Sequence, residues 1–91
     1  MNAVLIDPKD NVAAVLEKIE KGQPVVWKSG AEEISVVSLG EIPAFHKVAV
    51  RDINKGTPVI KYGEQIGFAT EDIPAGAHAH AHNLASTREG L

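Results

Sequence analysis

The pattern acid-Ile-x-x-Gly recurs along this chain and dictates a fold built around turns. Glu41-Ile42-Pro43-Ala44-Phe45, Asp52-Ile53-Asn54-Lys55-Gly56 and Asp72-Ile73-Pro74-Ala75-Gly76 share it, with Phe45 standing in for one glycine. Each copy places an apolar anchor before a turn and an extended segment after it. The glycine supplies a positive φ that other residues resist. Copies so few and so unevenly spaced point to a compact, pseudo-symmetric β unit and not to a solenoid.

The segments between the turns fit that picture. Residues 3–6, 24–28, 33–38, 47–51, 59–61, 66–70 and 77–82 read as short strands rich in Val, Ile and Ala. Ser29-Gly30-Ala31-Glu32 closes a hairpin, and Tyr62-Gly63-Glu64 forms a turn with an exposed phenol. One segment reads differently. Val12, Val15, Leu16 and Ile19 fall at i, i+3, i+4 and i+7, Asp10 or Asn11 can cap, Glu17 and Lys21 are spaced to pair, and Gly22 can stop. The spacing predicts one short N-terminal helix of about three turns.

With 91 residues the chain makes one domain with a thin core and no deep enclosed active site. Its aromatic residues are only Trp27, Phe45, Tyr62 and Phe68, so the core rests on aliphatic side chains. The net charge of −3, without a Lys/Arg run, argues against a nucleic-acid partner. No apolar stretch is long enough to span a bilayer, no basic leader precedes the apolar residues after Met1-Asn2, and no cysteine is present. A cytoplasmic location is expected. Phosphate-loop, dinucleotide-binding and nucleophile-elbow patterns are absent.

Three of the four histidines fall within five residues: His78-Ala79-His80-Ala81-His82, followed by Asn83. In an extended strand the imidazoles line one face and the alanines the other, roughly 7 Å apart along the backbone. His80 and His82 can then supply half of a metal site, with a carboxylate from elsewhere completing it. The same spacing also suits binding of a carboxylate or hydroxyl ligand, or a solvated chain end. His78 extends the row and is also read as plain surface. His46-Lys47, beside an extended strand, presents two donors to an anion, against a capping contact and a surface lysine. Asp52 and Asp72, at equivalent places in the repeat, read as turn stabilisers.

From His46-Lys47-Val48-Ala49-Val50 onward the chain resembles a known family. The run continues through Asp52-Ile53, Gly56, Val59-Ile60-Lys61-Tyr62-Gly63, Ile66-Gly67, Ala69-Thr70, Asp72-Ile73, Gly76 and His80-Ala81-His82-Asn83, with Asp10-Asn11-Val12-Ala13 and Gly22 upstream. Their order and spacing closely resemble the SAF domain at the N-terminus of altronate dehydratases, in the altronate/galactarate dehydratase family. The resemblance runs from about Val4 to Asn83 and implies a β-clip fold. With the residue reading added, the expectation is a mainly β domain with one short N-terminal helix, a SAF domain over residues 1–84, and a tail over residues 85–91.

The resemblance also implies function. Family dehydratases remove water from sugar acids with a divalent metal, typically iron or manganese. Their large catalytic part has no counterpart here, so the metal would be held mainly by a partner. The expectation is a small subunit or N-terminal domain of a carbon–oxygen lyase, an altronate dehydratase-like hydro-lyase, inactive alone. It would bind a small acidic substrate at its interface with a large catalytic lyase subunit. Sulfolactate sulfo-lyase, which pairs a small subunit of this kind with a large one, is an alternative, as is a non-catalytic module that binds sugar acids or scaffolds a partner. Exposed sheet edges make a homo-oligomer possible. By the resemblance His46, Lys47, Tyr62, His80, His82 and Asn83 match family positions, which leaves open whether they touch substrate or metal or brace the interface; the expectation is that they bind substrate, with His80 and His82 also the metal candidates from their spacing. Phe45 departs from the glycine usual before His-Lys. The galactarate branch lacks the His-x-His pair, which therefore leans toward the altronate or sulfolactate branch.

Overall fold

A computed structural model describes residues 1–86. Nine short strands make up the order: β1 (Ala3–Val4), β2 (Val12–Val15), β3 (Pro24–Ser29), β4 (Glu32–Val37), β5 (Lys47–Ala49), β6 (Pro58–Lys61), β7 (Glu64–Ala69), β8 (His78–Ala79) and β9 (Leu84–Ser86). A central sheet has the order β1-β2-β5-β8; β3-β4 is a separate hairpin, and β6-β7-β9 a three-stranded sheet. Every pairing is antiparallel. β9 carries the third sheet as far as Ser86. The remainder of the expected tail, residues 87–91, lies outside the described residues.

The chain is mainly β, as the sequence indicates, but the N-terminal helix is absent: the described residues contain no helix. Val12, Ala13, Ala14 and Val15 form a central strand buried on both faces. Side chains alternate across it. Ala13 and Val15 enter one core with Ala3, Ile19, Val25, Trp27, Ile42 and Val48. Val12 enters the other with Ala49, Ile53, Val59, Ala69, Ile73 and Ala79. A strand covered on both sides has no polar face, so its apolar residues also satisfy a helical period. Leu16, which the helical stripe would bury, is 47% exposed.

The supposed end of the helix is a fourth copy of the turn repeat. Ile19-Glu20-Lys21-Gly22 matches Ile42–Phe45, Ile53–Gly56 and Ile73–Gly76 position for position. The anchors pair as two isolated bridges, Ile19 with Ile42 and Ile53 with Ile73. These four isoleucines are the largest fully buried side chains. In each copy the fourth residue is left-handed, with φ of 85° at Gly22, 70° at Phe45, 87° at Gly56 and 91° at Gly76. Each turn closes by a backbone bond of 2.9–3.1 Å spanning three residues. Across the second bridge the acids are exchanged. Asp52 Oδ1 accepts from Ala75 N at 2.9 Å, and Asp72 Oδ1 from Lys55 N at 2.8 Å.

Phe45 alone holds the left-handed position without being glycine, and its side chain is 74% exposed. Phe45→Gly is therefore expected to stabilise the fold. It removes a left-handed cost of about 1–2 kcal/mol and adds about 0.5–1 kcal/mol of unfolded-state entropy. The net gain, up to about 1.5 kcal/mol by the same balance, would appear as a higher urea midpoint. A lower midpoint would show that the ring packs more closely than its exposure indicates.

Candidate functional site

β5 and β8 run antiparallel with Lys47 opposite Ala79 and Val48 opposite His78. One step further along the same register, His46 faces His80. The three imidazoles therefore share one face of the sheet, the face on which Val48 is buried, while Ala79 points into the opposite core. The His46 and His80 rings stack with centroids 4.1 Å apart. His78 lies 5.1 Å from His46 and 5.4 Å from His80. His46 Nδ1 and His78 Nε2 are hydrogen-bonded at 2.9 Å. The exposed His82 ring stands at the edge, tilted, 5.2 Å from His78.

The expected strand over 77–82 stops after Ala79, and the chain then turns. Asn83 makes that turn. Its Oδ1 accepts from His80 N, its Nδ2 donates to His78 O, both at 2.9 Å, and its own N–H donates to His80 O. The turn keeps His78 and His80 on the cluster while carrying His82 outward. Asn83 is buried, with its amide engaged on the backbone.

The electrostatics of the cluster are one-sided. Burial, followed by the nearby His82, His46, His80 and Lys47, pushes His78 down to about 4. Burial and then His46, Lys47 and His82 also lower His80. Half-buried Lys47 is lowered by burial and by Lys61. No carboxylate figures among the charges acting on His78, His80 or Lys47. His78 and His80 are thereby held toward the uncharged form at neutral pH, with Lys47 the lysine whose charge acts on them. Lys61 Nζ in turn sits 5.0 Å above the Tyr62 ring.

Sequence reasoning named His46, Lys47, His80 and His82; the fold brings the three histidines together, while Lys47, paired with Ala79, projects from the other face of the sheet and acts on His78 and His80 only through its charge. Tyr62 stands further out, on the β6–β7 turn, and reaches the group through Lys61. His78, read from the sequence as a weak extension of the row, lies at its centre. Lys61 was not singled out. The signal for His78 was the β5–β8 pairing, which spacing within one segment cannot reveal; Lys61 enters from β6, beside Lys47. Behind the β6–β7 turn lies another residue of importance, Asp10. It is fully buried and accepts from Gly63 N at 2.8 Å, Asp7 N at 3.0 Å and Ile6 N at 3.1 Å. Beside it, Asn11 staples the central sheet to β6 through Pro58 O and Ile60 N.

The chain matches the family model of the altronate/galactarate dehydratase SAF domain over residues 1–87. It is 41% identical over 91 residues to altronate dehydratase of Escherichia coli (strain K12), spanning 18% of that protein's length. It is 34% identical over 88 residues to (2R)-sulfolactate sulfo-lyase subunit alpha of Chromohalobacter salexigens, spanning 94% of that subunit. Galactarate dehydratase (L-threo-forming) of Escherichia coli (strain K12) matches at 34% over 74 residues, 13% of its length. No helix among the described residues is long and apolar enough to cross a membrane.

Proposed function

This chain belongs to the altronate/galactarate dehydratase SAF domain family, and from that premise we propose that it is the substrate-facing accessory part of a hydroxy-acid lyase. The catalytic bulk would come from a large partner. The observation that carries this reading is the cluster of four imidazoles at the sheet end where Lys47 and Lys61 also lie, with no carboxylate acting on His78, His80 or Lys47, in a chain of net charge −3. Such a patch attracts an anion and is costly to leave bare.

In this reading Lys47 is the main cation facing the substrate carboxylate, with Lys61 behind it. The His46, His78 and His80 rings offer donors and acceptors to hydroxyl groups. Asn83 orients His78 and His80. Lys47 would also lower the energy of negative charge that develops on an enolate-like intermediate. Family resemblance adds a divalent ion, and the imidazole set is chemically suited to one: His80 Nδ1 is buried without a hydrogen-bond partner. When bound, such an ion supplies Lewis-acid polarisation of a substrate oxygen.

Mixing the purified chain with a large lyase subunit that lacks its own SAF domain tests the reading. Turnover of altronate is expected only when both are present. Lys47→Gln should raise KM about tenfold or more, because a charge-assisted hydrogen bond is worth about 1.5–3 kcal/mol. Full activity of the large subunit alone would leave this chain a scaffold or a binding module. A second reading, the small subunit of a sulfolactate sulfo-lyase, is favoured by the match along 94% of such a subunit. Sulfolactate as the accepted acid, in the same assay, would select it.

A further inference from the structure

We infer that His46, His78 and His80 form a three-imidazole site for a divalent first-row transition-metal ion, and that this chain loads the ion without help from another subunit. Each ring offers one nitrogen, and these three atoms lie within 4.8 Å of one another. Nitrogens around one such ion sit about 3.0–3.4 Å apart, as metal–nitrogen bonds of about 2.1 Å require. Small ring rotations close that gap. The backbone that carries the rings is fixed: at His46 by the turn ending at Phe45, and at His78 and His80 by the Asn83 amide.

A second observation points the same way. His80 Nδ1 is buried and has no hydrogen-bond partner. A buried polar nitrogen without a partner is costly, and native structures seldom leave one. It adjoins the His46–His78 pair, in which one nitrogen already serves as acceptor to the other. An ion satisfies all three rings at once. Three protein ligands also leave coordination positions free, as in sites that bind a substrate oxygen and unlike closed structural sites. The donor set differs from the one spacing suggested. His82 is exposed and at the margin, so the expected His80–His82 pair gives way to His80 with His46 and His78.

The ion would serve the site of the proposed function, and its use in catalysis rests on that reading; its binding does not. The test uses the tag-free chain alone, with Co(II) followed by visible absorption and Zn(II) by calorimetry. One ion per chain is expected, with a ligand-field spectrum for Co(II). His46→Ala, His78→Ala and His80→Ala should each weaken binding by at least about tenfold, the size of effect seen even for outer-shell partners. His82→Ala should stay near wild type. Thermal melts of each variant, with His46→Gln beside His46→Ala, separate lost ligands from lost fold. Absence of stoichiometric uptake overturns the inference, as does equal sensitivity to His82 and His80 with indifference to His46. Ion binding in a chain that confers no lyase activity would uphold the site and remove the lyase reading; activity without ion binding would do the reverse.

Discussion

Gly76→Ala is expected to cost about 3–5 kcal/mol, a large share of the roughly 5–15 kcal/mol that holds a small domain together. Two terms add. Gly76 sits at φ 91°, where a side chain costs about 1–2 kcal/mol. A Cβ there would also fall 2.2 Å from the Val37 carbonyl oxygen and 3.3 Å from its carbon. That obstacle is backbone and cannot swing aside. Nor can Gly76 retreat, because its N–H donates to Ala49 O at 2.8 Å and its carbonyl accepts from Leu39 N at 2.9 Å. Gly56 is the control. It shares the conformation, at φ 87°, but has nothing within 4 Å of an added Cβ. Gly56→Ala should therefore lose only the conformational term, about 1–2 kcal/mol. Urea unfolding should rank wild type above Gly56→Ala and Gly56→Ala well above Gly76→Ala. Equal midpoints for the two variants would refute the packing argument. Gly76 leads directly into β8, so its loss should also dissolve the histidine cluster.

The contrast between these glycines shows how far the sequence could be read. The turn repeat was visible at residues 41, 52 and 72 because an acid preceded each isoleucine. The copy at Ile19 was hidden because Lys18 stands in the acid's place, where it lies 3.5 Å from both Glu20 and Glu41. A helical period then claimed the same residues, since Val12–Val15 is apolar on both faces. Burial on two sides is a tertiary property and leaves no alternation to read. The site was legible to the same depth. The histidine row and His46-Lys47 could be named from local sequence. That His46 faces His80 depends on β5–β8 pairing across more than thirty residues, which no local pattern carries. Asp10 and Asn11 were legible only as polar residues beside an apolar run, which a helix cap explains equally well.

Asp10→Asn should unfold the protein more easily by about 2–4 kcal/mol at neutral pH, for a reason that involves only backbone donors. Burial alone would raise the Asp10 carboxyl. The backbone N–H groups of Asp7, Gly63, Ile6 and Tyr62 outweigh it and hold the group below its ordinary 3.8. Oδ2 accepts from Ile6 and Asp7, and Oδ1 from Gly63. An asparagine must turn its NH2 toward one of these sets, so a donor meets a donor whichever way it lies. Because the folded pKa is depressed, the carboxylate's contribution is complete above the unfolded value of about 3.9 and fades as pH falls through the lower folded value. The gap between wild type and Asp10→Asn in urea midpoints should thus be constant from neutral pH to about 5 and narrow below about 4. A gap that persists unchanged into strong acid would mean that the carboxyl's charge is not what binds those N–H groups. Since Gly63 N is one of them, the variant should also loosen the β6–β7 turn that presents Tyr62 and Lys61. Hydrogen exchange at Gly63 should therefore accelerate by more than exchange at Val48, in the centre of the sheet.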